Sequence, residues 1–209
     1  NDYIDCGDAD VFSFGDSTSD SPFSISAWVY FNDVSGNRGI ISKYGSSGEE
    51  WMMYVAGSNI RLLLKDDSVN KSCYAAGGTT LQTEQWYNFL ATYDGGGGAT
   101  AGNGIKIYIN GAEETLTVTN NASYVAMENT TQPVEIGRFS TSYIDGKQSN
   151  IAVFNQVISP EDVLYLYNGG TPQTNLSFEP LSWWKLDNLT TGIQDSGSAS
   201  NNGTNNGAT

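Results

Sequence analysis

The chain has 209 residues, with 9 Lys+Arg against 23 Asp+Glu and a formal net charge of −14. That balance argues against nucleic acid, which is held by Lys and Arg that displace counterions from phosphate, and against an anionic membrane surface. The chain has no His, which excludes Ser-His-Asp and Cys-His catalysis, His-ligated zinc or haem, and a His pH switch. No apolar run approaches the roughly 20 residues of a membrane span, so no membrane insertion is expected.

Twenty-four Gly, 12% aromatic residues and only 15% charged residues suit a β-sandwich with polar loops rather than a helical protein. A low pI with few charges points to an extracellular, cell-surface or virion-surface setting. The chain opens Asn1-Asp2-Tyr3 without Met or a signal peptide, as a processed chain or a fragment would. Cys6 and Cys73 are too few for a disulfide framework. They read as two separate buried thiols, with a bridge possible outside the cell. Glycosylation sequons stand at Asn70, Asn121, Asn129, Asn175, Asn188 and Asn202, relevant only in a glycosylating host.

Apolar or alternating runs separated by Gly, Asn, Asp and Ser predict strands at 3–7, 24–31, 38–44, 51–57, 59–66, 71–76, 86–93, 105–110, 112–118, 134–139 and 147–157. Their spacing is that of a sandwich. In the 24–31 run Ile25, Ala27, Val29 and Phe31 share one face while Trp28 and Tyr30 share the other, so this strand should be central. Asn110-Gly111 predicts a two-residue hairpin turn. One short helix is signalled near 160–168, with Ser159 as N-cap, Pro160 at the first helical position, acids in the first turn and Gly169 as the stop. Residues 171–181 read as a linker with two prolines. Beyond it, Trp183-Trp184 lie in another strand, one of the two in the core. The Ser/Asn/Gly tail would by itself be called disordered.

Several segments in order then resemble one family: Tyr3-Ile4-Asp5-Cys6-Gly7, Phe23 to Val29, Gly39 to Lys43, Trp86 to Gly95, Ile107-Tyr108-Ile109-Asn110-Gly111, Glu135-Ile136-Gly137-Arg138, and Ile144-Asp145-Gly146-Lys147 through to Ser159-Pro160-Glu161. The chain resembles the laminin-G-like modules of the concanavalin A-like lectin/glucanase superfamily. The resemblance implies an all-β, antiparallel jelly-roll sandwich over 1–170. It places 182–209 out of register, because Trp183 to Asp187 and the segments after it resemble the opening of such a module. Those residues could start the next repeat of a tandem array, complete their own sandwich as a circular permutation, or complete a neighbouring identical subunit. A jelly roll lacking its first strand exposes an unpaired edge, which favours the tail, or an identical tail from a neighbour, in that slot.

No catalytic strand is evident. Superfamily glycosidases carry acids at alternating positions, close enough for retaining hydrolysis. Here Glu49-Glu50 and Glu113-Glu114 are consecutive, so each pair points to opposite faces, while Glu161-Asp162 begins a helix. The expected function is therefore a non-catalytic recognition or adhesion module, with a surface glycan as ligand. The rival is a structural repeat or decoration subunit of a fibre, filament or phage virion, built by strand exchange among identical subunits. Sugar binding needs an aromatic face with polar neighbours. Trp28 and Trp86 read as core, which leaves Tyr44, Glu49, Glu50, Trp51, Tyr74 and Tyr143 as the ligand candidates. The resemblance also raises a structural calcium, with Asn150, Asp187 and Asp195 as its ligands. Asn150 stands where the family usually has an acid, a weaker donor.

Overall fold

The computed structural model describes residues 2–187 and 192–209; the Asn188 sequon and the tail positions up to 191 lie outside them. In chain order the strands are β1 (Tyr3–Asp5), β2 (Phe23–Phe31), β3 (Asn37–Gly45), β4 (Gly48–Ala56), β5 (Asn59–Asp66), β6 (Lys71–Gly77), β7 (Trp86–Tyr93) and β8 (Ile105–Ile109). They continue as β9 (Ala112–Glu113), β10 (Leu116–Thr119), β11 (Glu135–Ile136), β12 (Arg138–Phe139), β13 (Ser142–Tyr143), β14 (Gly146–Phe154), β15 (Ser182–Trp184) and β16 (Thr204–Asn206). One helix, α1 (Pro160–Tyr167), runs on into a 3-10 turn.

Two antiparallel sheets stack as a sandwich. One has eight strands in the order β10-β6-β5-β4-β3-β11-β1-β16, the other six in the order β15-β14-β2-β7-β8-β9. Between them lies a single core, because strand alternation turns Ile25, Ala27, Val29 and Phe31 of β2 toward Met53 and Val55 of β4 and Leu62 and Leu64 of β5. β2 sits between β14 and β7 and its other face is also covered: the Trp28 ring stacks on Tyr167 of α1, centroids 6.1 Å apart. The helix begins as its sequence dictates. Ser159 Oγ accepts from the Asp162 N–H at 3.1 Å, and Asp162 returns a carboxylate to the Ser159 N–H, closing a capping box. Val163 and Leu166 then join Leu90, Phe154 and Trp183 in a second apolar cluster outside the six-stranded sheet.

Two predicted strands are split. The 112–118 run divides into β9, which pairs with β8, and β10, which pairs with β6, so the chain crosses from one sheet to the other there. The 134–139 run breaks at Gly137, whose φ of +90° ends β11 and starts the β12–β13 hairpin. That hairpin passes so close over Gly39 that a Cβ there would lie 2.5 Å from the Arg138 carbonyl carbon.

Residues 171–181 lie on the outer face of the six-stranded sheet, with Phe178 against Phe154 (5.3 Å) and Tyr165 (5.8 Å). Beyond them β15 pairs with β14, and β16 pairs with β1 of the same chain. The tail is ordered despite its composition because Asp195 organises it. Its carboxylate accepts from the N–H groups of Trp183, Gly197 and Asn201 and from Ser182 Oγ, all at 2.7–2.8 Å. Both adjacent tryptophans are buried, Trp184 in the main core and Trp183 under α1; the expectation that only one would be core assumed a sheet covered on one face. Cys6 and Cys73 are separate buried thiols, and burial pushes both pKa values up. Trp184→Ala is expected to lower the unfolding free energy by about 3–5 kcal/mol, the usual cost of emptying a large core site, measured by urea denaturation.

A candidate ligand cleft where the two sheets part

The six predicted ligand residues do not converge. β3 and β4 pair Lys43 with Trp51 but Tyr44 with Glu49, so Glu50 is an extra residue in a bulge. The bulge turns Glu50 inward beside Trp51. Trp51 is 0% exposed and donates its indole N–H to the Phe12 carbonyl at 2.9 Å. Glu50 is equally buried, paired with Lys43 at 2.9 Å and accepting from Thr130. Burial raises the Glu50 pKa, with Lys43 opposing. Neither residue meets a surface ligand; both are corrected to core. Tyr44, Glu49 and Tyr74 lie on the outer face of the eight-stranded sheet, where Glu49 pairs with Lys65 at 3.0 Å. Burial and the Glu49 carboxylate push the Tyr44 pKa up. Tyr143 stands apart in the hairpin, 6.5 Å from Tyr3.

The residues named for calcium do not fit a calcium ion. Asp195 spends both oxygens on four donors in the tail. Asn150 Oδ1 accepts from the Trp183 indole N–H at 3.1 Å. Asp187 and Asn150 do share a depression, but Lys185 lines it too, and its ammonium opposes a cation. No cluster of three or more acidic, Cys or His groups suited to a metal occurs among the described residues.

A different site emerges at one end of the sandwich, where a cleft of about 480 Å³ opens between the sheets. Tyr3 of β1 and Ile136 of β11 line one wall, and Lys147 and Gln148 of β14 the other; Trp86, Leu186 and the final residues Ala208 and Thr209 complete it. This volume falls within the range of small-molecule pockets, roughly 300–1,000 Å³. Trp86 is 43% exposed, which corrects its reading as core. Strand parity explains the correction: Tyr87, Phe89, Ala91 and Tyr93 of β7 face the core, so Trp86 faces out, beyond the reach of α1. Its ring lies 5.8 Å from Tyr30, over which Lys147 Nζ sits at 5.5 Å.

The walls are held rigidly. The Arg138 guanidinium carbon lies 3.5 Å from the centroid of the Tyr3 ring and pairs with the buried Glu135 carboxylate, whose hydrogen bond raises the Arg138 pKa. Gln148 donates Nε2 to the Ile40 carbonyl at 2.9 Å, and its Oε1 lies beside Gly137. The cleft thus presents an aromatic face, an anchored amide, an ammonium and an apolar floor. It has one carboxylate side chain among its described lining residues, Asp2, whereas retaining glycoside hydrolysis uses two about 5 Å apart. The consecutive acid pairs are engaged elsewhere: Glu113 with Lys106, Glu114 with Thr79 and Asp162 in the helix cap.

Residues 1–164 match a laminin-G-type family model described as the concanavalin A-like lectin/glucanases superfamily. Among solved structures, a candidate carbohydrate-binding protein from Bacteroides ovatus superposes with a TM-score of 0.62 at 19% identity, covering 100% of this chain and 57% of that one. This chain therefore spans little more than half the length of that protein. A heptameric SAP-like pentraxin from Limulus polyphemus gives 0.52 at 13% identity, covering 83% and 85% of the two chains. The CBM40 of a Ruminococcus gnavus IT-sialidase, solved with α2,3-sialyllactose, gives 0.53 at 8% identity, covering 72% and 84%. At such identities these likenesses show the fold alone. No curated protein matches the chain.

Trp28, Trp51, Trp183 and Trp184 are all buried. Acrylamide quenching of tryptophan fluorescence should therefore report on Trp86. Trp86→Phe is expected to remove most of the quenchable emission, and a ligand in the cleft to shield it.

Proposed function

The chain belongs to the concanavalin A-like lectin/glucanases superfamily, and from that premise we propose that it is a non-catalytic carbohydrate-recognition module whose ligand occupies the cleft beside Trp86. The observation that carries this reading is a large, exposed tryptophan at the mouth of a rigid cleft that also offers an amide and an ammonium. A sugar ring lays its C–H face on such an indole and directs hydroxyls to polar neighbours. Gln148 Oε1 accepts from a hydroxyl, and Lys147 donates to a ring or hydroxyl oxygen. The Bacteroides and Ruminococcus structures, described as carbohydrate-binding and sialyllactose-bound, support the ligand class. The setting proposed with it is extracellular, on a cell or virion surface.

A second reading is favoured by one feature. β15 and β16 add three residues each, β15 at an edge of the six-stranded sheet and β16 at an edge of the eight-stranded sheet. An identical tail from another copy would meet the same edges, so a structural subunit built by strand exchange uses the same topology.

A glycan array followed by titration separates the two. Glycan binding weakened tenfold or more by Trp86→Ala, equivalent to about 1.4 kcal/mol, with an unchanged melting curve and no dependence on added calcium, is the expected result. No glycan binding, together with concentration-dependent oligomers in sedimentation velocity, favours the second reading.

A further inference from the structure

Of the three arginines, two are ion-paired, Arg38 with Asp33 and Arg138 with Glu135. Arg61 has no ion-pair partner among the described residues, and its buried Nε has no hydrogen-bond acceptor. A buried donor left this way costs about 1–3 kcal/mol. Strand alternation places it: Ile60, Leu62 and Leu64 of β5 enter the core, so Arg61 and Leu63 face outward. Across the sheet Arg61 stands in a row with Tyr54, Ala76 and Thr117, next to a row of Met52, Leu63, Tyr74 and Thr119. The guanidinium carbon lies 5.4 Å from the centroid of the half-buried Tyr74 ring. Burial raises the pKa of the Tyr54 phenol, and a hydrogen bond from the Arg61 guanidinium, with its charge, draws it part of the way back. Ala76 contributes only a methyl group between Arg61 and the exposed Thr117 in this row.

We propose that this outer face binds an acidic sugar of the uronic type, its carboxylate on the terminal nitrogens of the Arg61 guanidinium and its ring against Tyr74, with hydroxyls toward Thr117 and Thr119. A guanidinium is a planar fork that matches a carboxylate with two parallel N–H donors. A uronic acid carries that carboxylate one bond from its ring, which suits a fork stationed beside an aromatic face. With a net charge of −14 no diffuse field draws anions to the molecule, so recognition rests on the local fork. β5 is separated from β1 by β4, β3 and β11, about 19 Å at ~4.8 Å per strand. The site is therefore distinct from the cleft and does not depend on the cleft being occupied.

The test is calorimetric titration of the full chain with trigalacturonic acid, with its neutral methyl ester, and with acetate, alongside an NMR record of the Arg61 Nε–H signal. The acid should bind and shift that signal. Arg61→Gln should weaken it tenfold or more and Arg61→Lys less, with unchanged melting curves, while Trp86→Ala leaves the affinity as it was. The ester and acetate should bind at least tenfold more weakly. Failure of the acid to bind, equal binding of the ester or of acetate, or an affinity indifferent to Arg61→Gln would each overturn the proposal. A loss confined to Trp86→Ala would place the acid in the cleft instead and also overturn it.

Discussion

Trp51 lies wholly buried between the sheets, its ring 5.9 Å from Phe23 and 6.1 Å from Phe14, with Phe23 in turn edge-on to Tyr93. This aromatic contact across the two layers is what the rest of the structure depends on. It removes large apolar faces of β2, β4 and β7 from water at once, and burying each such side chain contributes roughly 1.5–3 kcal/mol. The bulge beside Trp51 draws Glu50 into the interior, where an isolated charge would be untenable. Lys43 resolves the conflict. It is fully buried, and its ammonium meets Asp8, Glu50 and the carbonyls of Thr130 and Gln132 at 2.7–3.0 Å. That ion cluster ties the edge of the core to two loops; it is the condition under which the aromatic packing can exist, rather than a source of stability itself.

With the inner faces committed to packing, recognition falls to the outer faces and the ends. The six-stranded sheet hides most of its outer face under α1 and residues 171–181, and only the Tyr30–Trp86 corner escapes. Among the described residues no α-helix covers the outer face of the eight-stranded sheet. Its outer face instead packs tyrosines, Met52 and Leu63 against one another and under Phe139, whose ring meets Tyr54 edge-on at 5.2 Å. The two sheets thus present chemically different surfaces: one exposed indole beside a cleft, and one mostly closed aromatic layer holding an unpaired guanidinium.

Most of the architecture was legible because strand alternation writes itself into the residue order. Ile25 to Phe31 revealed a strand covered on both sides, and Ser159-Pro160-Glu161-Asp162 marked the helix start. The crossing between sheets at Glu114-Thr115 and the break into a hairpin at Gly137 were not legible, since each lies inside a run that keeps an apolar pattern while the chain changes partners. The site was read least well, for a definable reason. Trp51 was assigned outward and Trp86 inward. A one-residue bulge, invisible in a list of residues, brings Glu50 inward, whereas Trp51 shares the inward face of Met53 and Val55 by simple alternation. Trp86 could have been found in the same way. The inward set Tyr87, Phe89, Ala91 and Tyr93 fixes its parity, and the polar stretch Gln82-Thr83-Glu84-Gln85 before it signals a strand end open to solvent.

The acidity of the chain sharpens what its few cations can mean. Among nine Lys and Arg, the buried ones serve acids: Lys43 serves Asp8 and Glu50, and Lys65 serves Glu49. Arg38 and Arg138 also pair within a few residues of their own position. Lys147, Lys185 and Arg61 instead rest against aromatic rings, without a carboxylate partner among the described residues, Lys185 also donating to the Thr174 carbonyl at 3.0 Å. A ring stabilises a cation by only about 0.5–2 kcal/mol and accepts little from its N–H donors, of which Arg61 shares one with the Tyr54 hydroxyl. In a molecule with more than twice as many acids as bases, a cation that remains unneutralised is one that its neighbours hold away from the available acids. Lys147 and Arg61 adjoin aromatic faces at the two proposed sites, and that pairing of a cation with a ring is the common physical basis of the sugar recognition proposed at the cleft and on the outer sheet.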